Sequence, residues 1–250
     1  MNGCGVAYKL TRPAMPGGPW TETILHSFTA KTGAIFPVGA PIFDGKGNLY
    51  GATQGGTADG HSLGSAAYRL TPPTTAGAVW NFRLLFSFGG PDTGPQAGMI
   101  SHKSGRLYGT TGFGGEFGEG SVFELSPPVV PGDLWTENIL YSFLGGADGS
   151  VPTANVIFDR VGNLYGTTQH GGEGGCASDT FAGCGTVFKL APPATNGGNW
   201  TEMTLHRFDP TTTDGLLPSS GLLLWKNGVL FGVTPDGGRG KEGTVYGIVP

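Results

Sequence analysis

Residues 155–168 read NVIFDRVGNLYGTT, and this stretch holds two short β-strand patterns joined by a turn. The same pattern recurs three more times, at 41–53 (PIFDGKGNLYGAT), 99–111 (MISHKSGRLYGTT) and 222–234 (LLLWKNGVLFGVT). Alternating apolar positions rich in β-branched and aromatic residues are typical of strands, and the polar, glycine-containing turn is typical of a tight hairpin. A hairpin that occurs four times predicts a repeat protein built from β-strands.

Two further strand patterns accompany each hairpin. A stretch beginning with tryptophan starts at Trp20, Trp80, Trp135 and Trp200, and a short apolar strand of the type VFKL occurs five times. Four strands in a unit of roughly 40 to 65 residues are typical of a propeller blade. A β-helix or a sandwich would show a much shorter repeat or none. We therefore expect an all-β protein, a β-propeller of four-stranded blades, with four blades in the ring.

The repeats divide the chain into one partial and four further units. We expect a single β-propeller domain over residues 1–250, with units at approximately 1–40 (partial), 41–88, 98–143, 155–208 and 221–248. The last unit lacks an outer strand, which Trp20–Phe28 can supply to close the ring. One strand is then left over, because Val6–Leu10 and Val245–Ile248 occupy the same position of the repeat. It lies as an extra edge strand, or the chain belongs to a larger assembly through exposed edges.

The composition excludes several classes of partner. Glycine provides 48 of 250 residues, yet 38% of residues are hydrophobic, which is enough for a core. Only 13% are charged and the net charge is −4, so no basic surface indicates nucleic acid. No apolar run approaches the roughly 18 residues of a membrane span, and the first residues lack the pattern of a signal peptide.

In these stretches the chain resembles the bacterial GloVer tandem-repeat family. The repeat of that family runs approximately G-T-V-F-x-L-T-P, then W-T-E-x-x-L-x-S-F, then F-D-x-x-G-N-L-Y-G-T-T. Gly185–Leu190, Trp135–Phe143 and Phe158–Thr168 match it best, whereas the last unit departs from it at Trp225–Gly228. The resemblance covers nearly the whole chain. It implies a secreted or surface-borne β-repeat protein and brings no catalytic motif.

The three cysteines are an odd number. Cys176 and Cys184 flank the insertion that lengthens one unit, and we expect a disulfide there, the alternative being two thiols. A disulfide favours an oxidising compartment, hence a secreted or cell-surface location. Cys4 stands at the repeat position of Cys184, so its partner would precede Met1, as in a chain that starts inside a repeat. The alternatives are an isolated loop cysteine or pairing between chains.

One face of the propeller is expected to carry the function. The predicted strand order places the loops that enter the inner strands beside the glycine-rich loops, and long loops on a rigid scaffold often bind ligands. In the first set, Asp92, Asp148 and Asp214 occupy matching positions. They are candidate ligands of a divalent cation such as Ca²⁺, which prefers oxygen. The alternative is that Asp-Gly and Asp-Thr-Gly only form turns.

Four more polar residues belong to this face. Gln54, Gln169 and His170 directly follow strands of the hairpins, so we expect them nearest the axis. Asp236, in the last glycine-rich loop, is a further candidate for ligand binding. The sequence favours an extracellular module that binds a neutral ligand, such as a glycan or a protein partner. The alternative is a metal-dependent hydrolase of a lactone or phosphoester at the channel mouth, with His170 and Asp148 as catalytic residues and the metal supplying hydroxide.

Overall fold

The computed structural model of the chain describes residues 4–58, 61–75, 77–89, 93–130, 132–176, 182–195 and 197–250. Two strands, β1 (Val6–Thr11) and β2 (Thr21–Ser27), pair with each other at the start. Next come β3 (Pro37–Phe43), β4 (Leu49–Thr53), a hairpin of β5 (Gly56–Ala58) and β6 (His61–Leu63), β7 (Ala66–Thr71) and β8 (Asn81–Ser87). The sheet β3-β4-β7-β8 is blade I.

Three more blades follow along the chain. Blade II is formed by β9 (Ile100–Ser101), β10 (Leu107–Thr111), β11 (Ser121–Ser126) and β12 (Thr136–Ser142). Blade III is formed by β13 (Ile157–Phe158), β14 (Leu164–Thr168), β15 (Thr186–Ala191) and β16 (Thr201–Arg207). The remaining strands are β17 (Gly215–Leu216), β18 (Leu223–Leu224), β19 (Leu230–Thr234), β20 (Asp236–Gly237) and β21 (Thr244–Ile248), of which β18, β19 and β21 form blade IV and β17 pairs with β20.

Blades I to IV are small antiparallel sheets arranged as a four-blade β-propeller, which confirms the predicted fold class. The strand order from the first to the last strand of each blade is also the predicted one. Helix is confined, in the ranges that the structure describes, to two 3₁₀ turns at Ala30–Thr32 and Gly146–Asp148. None of the described helical segments is long and apolar enough to cross a membrane.

The third and fourth strands pair in one register throughout the repeat. In blade II, Val122 lies opposite Tyr141 and Phe123 lies opposite Ile139, so one residue of β12 is skipped. The same β-bulge occurs in blades I and III, and between β1 and β2. A bulge bends its strand and increases the local twist. Each of these four pairs of strands therefore carries the same bend at the same position of the repeat.

The glycine of the L-Y-G pattern is explained by the aromatic residue of the third strand. A Cβ atom on Gly109 would lie 2.7 Å from Cζ of Phe123, and one on Gly166 would lie 2.6 Å from Cζ of Phe188. Such distances are too short for two carbon atoms. The ring of the third strand thus lies flat over the second strand, and only glycine leaves it room.

Neighbouring blades are joined by the phenylalanine that ends each W-T-E stretch. The ring of Phe143 lies 5.1 Å from that of Phe188 in blade III, at 65°, and both are fully buried. Phe208 meets Tyr246 of blade IV in the same way, at 5.1 Å. Edge-to-face rings at this spacing contribute about 0.5–1.5 kcal/mol beyond their burial. The repeated phenylalanine thereby builds each junction between blades.

In blades I and III an aspartate, Asp44 or Asp159, closes the hairpin turn. In blade III, Oδ1 of Asp159 accepts hydrogen bonds from the backbone N–H groups of Val161 and Asn163, both at 2.9 Å. Burial raises the pKa of Asp159, but these bonds and that from the Asn163 side chain outweigh it, so the pKa lies below its ordinary value. In blade II His102 takes this position, and its Nδ1 lies 3.1 Å from Oγ of Ser104.

The prediction that Trp20–Phe28 supplies the outer strand of the last blade is wrong. β2 pairs with β1, from Val6 opposite Ser27 to Thr11 opposite Thr21, and blade IV has three strands. The reason is chain connectivity. β1 and β21 are both third strands, and the short loop between β1 and β2 makes their pairing cheap in loop entropy, whereas β21 is distant along the chain. The predicted extra strand is β1, and β2 stays outside blade IV because it pairs with β1.

Candidate functional site

The two sets of long loops lie side by side, as the strand order predicts. The loop that enters blade IV contains β17, which pairs with β20 of the glycine-rich loop, so that Gly215 lies opposite Gly237. In blade III, Ser150 and His170 exchange backbone hydrogen bonds of 2.9 and 3.0 Å. These contacts join the loops into one surface at one end of the propeller, called the loop face below.

Asp148 is held by its own unit. Its Oδ1 accepts a hydrogen bond of 2.8 Å from the hydroxyl of Tyr141, and its Oδ2 accepts one of 2.8 Å from the backbone N–H of Leu144. Its charge also acts on Glu202 of β16: burial first, and then Asp148, raises the pKa of Glu202 to about 7. Asp148 is therefore directed toward the outer strands of blades II and III.

Asp214 makes the equivalent contacts one unit later. Its Oδ2 lies 2.7 Å from Nε2 of His206, which occupies the repeat position of Tyr141, and its Oδ1 accepts a bond from the N–H of Gly215. Asp92 lies outside the described residues. Among the residues that the structure does describe, no group of three or more His, Cys, Asp or Glu side chains is placed to hold a metal ion. Asp148 and Asp214 thus have the contacts of turn residues.

His170 lies in the loop face beside the disulfide loop. Burial lowers the pKa of His170, and a hydrogen bond with the backbone of Gly183 opposes that effect. Its carbonyl oxygen accepts a bond of 2.9 Å from the hydroxyl of Thr168. The side chain is half-buried. A neutral imidazole in this position is able to donate and accept hydrogen bonds, which suits binding as well as acid–base chemistry.

The backbones of Gln54 and Gln169 take part in a set of hydrogen bonds between neighbouring units, called the clasp below. Their N–H groups donate 3.0 Å bonds to the carbonyls of Phe36 and Val151, each of which directly precedes a proline on the way into an inner strand. Phe36 and Val151 have φ of 57° and 55°, and Leu217 has 57° at the same repeat position. Non-glycine residues rarely adopt this conformation, and it concentrates at functional sites.

The same strained residues bind the preceding unit. The N–H of Val151 donates 2.9 Å to the carbonyl of Glu119, and that of Leu217 donates 2.8 Å to the carbonyl of Cys184. Each clasp therefore connects two blades and fixes the start of the segment that leads into the inner strand.

Of the remaining candidates, Asp236 is exposed in β20, and its carbonyl accepts a bond from the hydroxyl of Thr234.

The axis holds a cavity that the candidate residues of the sequence do not line. Its volume is about 330 Å³, and all four blades contribute to it through their inner strands or the segments that lead into them. The polar residues of its wall are uncharged: Gln96, Thr153, Asn155 and Ser219. Glycine and alanine, such as Gly39 and Ala97, form much of the rest. The sequence signal for it is the recurring proline, followed by a variable residue and two small or polar ones, at 95–98, 152–155 and 218–221.

The predicted disulfide between Cys176 and Cys184 is confirmed; the two Cα atoms are 5.0 Å apart. Cys184 is fully buried in the cluster between blades III and IV, and Cys176 packs against the same cluster. Cys4 is buried between β1–β2 and blade I. The disulfide fixes the longest glycine-rich loop at the edge of the loop face.

An arrangement of small antiparallel sheets with repeated sequence, clasped loops and an axial cavity defines a β-propeller repeat protein. The model of the Gloeobacter/Verrucomicrobia repeat matches residues 1–246, which is nearly the whole chain. The chain belongs to that family, as the resemblance of the repeat pattern predicted. The comparison with curated proteins returned no match.

Proposed function

We propose that this protein is an extracellular binding module whose ligand is an uncharged, polar molecule, and that the terminal sugar of a glycan enters the axial cavity from the loop face. The observation that carries the proposal is the wall of that cavity. Its polar groups are amides and hydroxyls, and its described lining residues include no charged side chain. A volume of about 330 Å³ lies at the lower end of small-molecule sites, which suits one sugar ring.

The chemistry of the wall matches a polyhydroxylated ligand. The amides of Gln96 and Asn155 each offer donors and an acceptor, and the hydroxyls of Thr153 and Ser219 do both. Sugar hydroxyls likewise donate and accept, so such a wall pairs with them in several orientations. The small residues between them let a ring approach the backbone closely.

One group in this wall lacks a partner in the described part of the chain. Oγ1 of Thr153 is buried and makes no hydrogen bond there. A buried hydroxyl without a partner destabilises a protein by about 1–3 kcal/mol. Thr153 lines the cavity, so rotation about its Cα–Cβ bond would present this hydroxyl to a ligand hydroxyl, which would satisfy it. The strained clasp at Val151, two residues earlier, supports the same site, because it fixes the start of the segment that carries Thr153 and Asn155 and leads into β13.

The extracellular location is supported by the disulfide, since such bonds persist in oxidising compartments. The low charge of the chain also suits a neutral ligand, because it provides no long-range attraction for an anionic one.

The test is a glycan array that carries neutral and acidic glycans, followed by calorimetry with the neutral glycans retained. We expect Asn155→Ala to weaken binding at least tenfold. Thr153→Val should weaken it similarly while leaving the free energy of unfolding unchanged or higher, because it removes an unpaired hydroxyl. Asn227→Ala, in the hairpin turn of blade IV, is the matched control and should bind as the parent does. Retention of acidic glycans only, of none, or unchanged affinity in both cavity variants would overturn the proposal.

A further inference from the structure

The first strand of the chain exposes residues that are buried in every complete blade. In β1, the side chain of Tyr8 is 56% exposed and that of Leu10 is 52% exposed. Their counterparts in β11, Phe123 and Leu125, are fully buried against blade I. Blade I covers this face of β11, which also pairs with both β10 and β12, whereas β1 pairs with β2 on one edge only.

The last blade exposes the opposite face. Phe231 of β19 is 39% exposed and Val245 of β21 is 78% exposed. Their counterparts in blade II, Tyr108 and Val122, are buried against blade III. Each end of the chain therefore shows one half of the junction that successive blades form with each other. Apolar faces of this kind are normally covered in a soluble protein.

A groove of about 690 Å³ lies beside β1. One wall is β1 itself, with Tyr8 and Leu10, and the other is the side of blade I that carries Gly39, Pro41 and Leu49. In blade II the place next to the third strand is filled by the second strand, β10, which pairs with β11 along five residues. The groove thus has the position and the walls of a missing second strand.

The strand pattern that fits the groove is already present in blade IV. β19 is a second strand, and its third-strand partner, β21, is the repeat equivalent of β1. Gly232 of β19 lies opposite Tyr246, and a Cβ atom there would collide with the Tyr246 hydroxyl. If β1 replaced β21 in the same register, Tyr8 would take the place of Tyr246, and its ring would lie against Gly232.

Blade IV also lies close to the groove. Ser219 and Gly221, which lead into β18, line the axial cavity together with Gly39 and Ala40 of blade I. Gly39 and Ala40 line the groove beside β1 as well. The inner end of blade IV is therefore near the groove, and this favours β19 of the same chain over that of a second copy.

We propose that β1 and β21 compete for β19, and that the ring closes when the β18–β19 hairpin enters the groove and β19 pairs with β1. The closed blade is β18-β19-β1-β2, and β21 is released. The exchange replaces the five residue pairs between β19 and β21 with five between β19 and β1, so few backbone hydrogen bonds are lost overall. It buries Tyr8 and Leu10 where Tyr246 and Ile248 pack now, so the net driving force for closure is the covering of Phe231. The inference does not depend on the ligand proposed above.

The test lets the two pairings compete for one cysteine. Phe231 lies opposite Gly247 in the structure, and in the closed blade it would lie opposite Lys9. The variant Lys9→Cys/Phe231→Cys/Gly247→Cys is built with Cys4→Ser, so that residue 4 takes no part. It is equilibrated in a glutathione redox buffer, and its disulfides are identified by mass spectrometry of unreduced peptides. Directly opposed residues of paired strands are close enough for a disulfide.

We expect a 9–231 disulfide within one chain, in competition with the 231–247 disulfide. Removal of residues 244–250 from Lys9→Cys/Phe231→Cys/Cys4→Ser should raise the yield of the 9–231 disulfide at least threefold, because the competitor is gone. The matched control moves one cysteine to Thr23, which pairs with Lys9 on the other edge of β1, and Thr23→Cys/Phe231→Cys should not cross-link. The proposal is overturned if only the 231–247 disulfide forms, if truncation leaves the 9–231 yield unchanged, or if that disulfide joins two chains.

Discussion

Nε2 of His206 lies 2.7 Å from Oδ2 of Asp214, and this contact ties the loop that enters blade IV to the outer strand of blade III. The same carboxylate accepts hydrogen bonds from the N–H groups of Asp209 and Gly215. Tyr141 and Asp148 form the equivalent contact in the preceding unit, at 2.8 Å. The same two repeat positions thus pair a carboxylate with an imidazole in one unit and with a phenol in the other. Both contacts tie the loop to the outer strand of the preceding blade.

We expect Asp214→Ala to lower the free energy of unfolding by about 1–2 kcal/mol, because hydrogen bonds to a charged group are lost from a partly buried site. His206→Phe, which copies Phe86 of blade I, should lose part of this and keep the ring packing against Phe208. Urea unfolding measures both. Asp236→Ala, on the same face but exposed, should change stability by less than about 0.5 kcal/mol. An equal loss in Asp214→Ala and Asp236→Ala would contradict a specific role for the contact.

The carboxyl group of Glu202 should make stability depend on pH. Its pKa is raised to about 7 from 4.5 in the unfolded chain, mainly by burial and then by Asp148. Below pH 4.5 both states hold the proton. As the pH rises through the window from 4.5 to 7, the unfolded state releases it first, so the folded state becomes less stable. Glu202→Gln should remove this loss.

Thermal unfolding of the parent and of Glu202→Gln at pH 4 and pH 8 checks this expectation. The variant should match the parent at pH 4 and exceed it at pH 8, by no more than about 1 kcal/mol because solvent screens the half-buried group. Glu22→Gln, at the same repeat position but exposed, is the control and should show no such difference. If Glu202→Gln were more stable than the parent at pH 4 but not at pH 8, the expectation would be contradicted.

Phe143 should be among the most sensitive residues of the protein. It is fully buried, and its ring meets that of Phe188 across the junction of blades II and III. Phe143→Ala should lower the free energy of unfolding by about 3–5 kcal/mol, through lost burial and the cavity left behind. Phe43→Ala serves as the control, because Phe43 is 65% exposed in β3. Similar losses in the two variants would show that the junction is not where stability resides.

Gly166 should not tolerate a methyl group. Gly166→Ala places Cβ 2.6 Å from Cζ of Phe188, and overpacking of this kind destabilises by about 1–3 kcal/mol. Phe188→Leu removes the ring carbon that collides, so the double variant should lose less stability than the sum of the single ones. Gly45→Ala, where nothing lies within 4 Å, is the matched control. Strict additivity would exclude the collision as the cause.

The repeat allowed the sequence to predict much of the fold, since four copies of a hairpin pattern make the strands and their order hard to mistake. The disulfide was predictable because Cys176 and Cys184 flank one insertion. The partner of β2 was not, since β1 and β21 have the same pattern and only loop length separates them. The functional site was harder to predict, because a loop aspartate such as Asp148 has the same sequence signature whether it faces the axis or its own outer strand. The uncharged wall around Thr153 carries no motif.

The recurring phenylalanine at the blade junctions has a geometric consequence for the ring as a whole. The pair of Phe143 and Phe188 recurs with the same ring spacing, 5.1 Å, in Phe208 and Tyr246. The side chain at this repeat position thus sets the distance between successive blades. A substitution that rotates one junction by a few degrees would be hardly visible there, yet it would move every later blade by the same angle, and the same change at every junction would add up between blade IV and β1. The size of one side chain, used repeatedly, therefore sets the circumference.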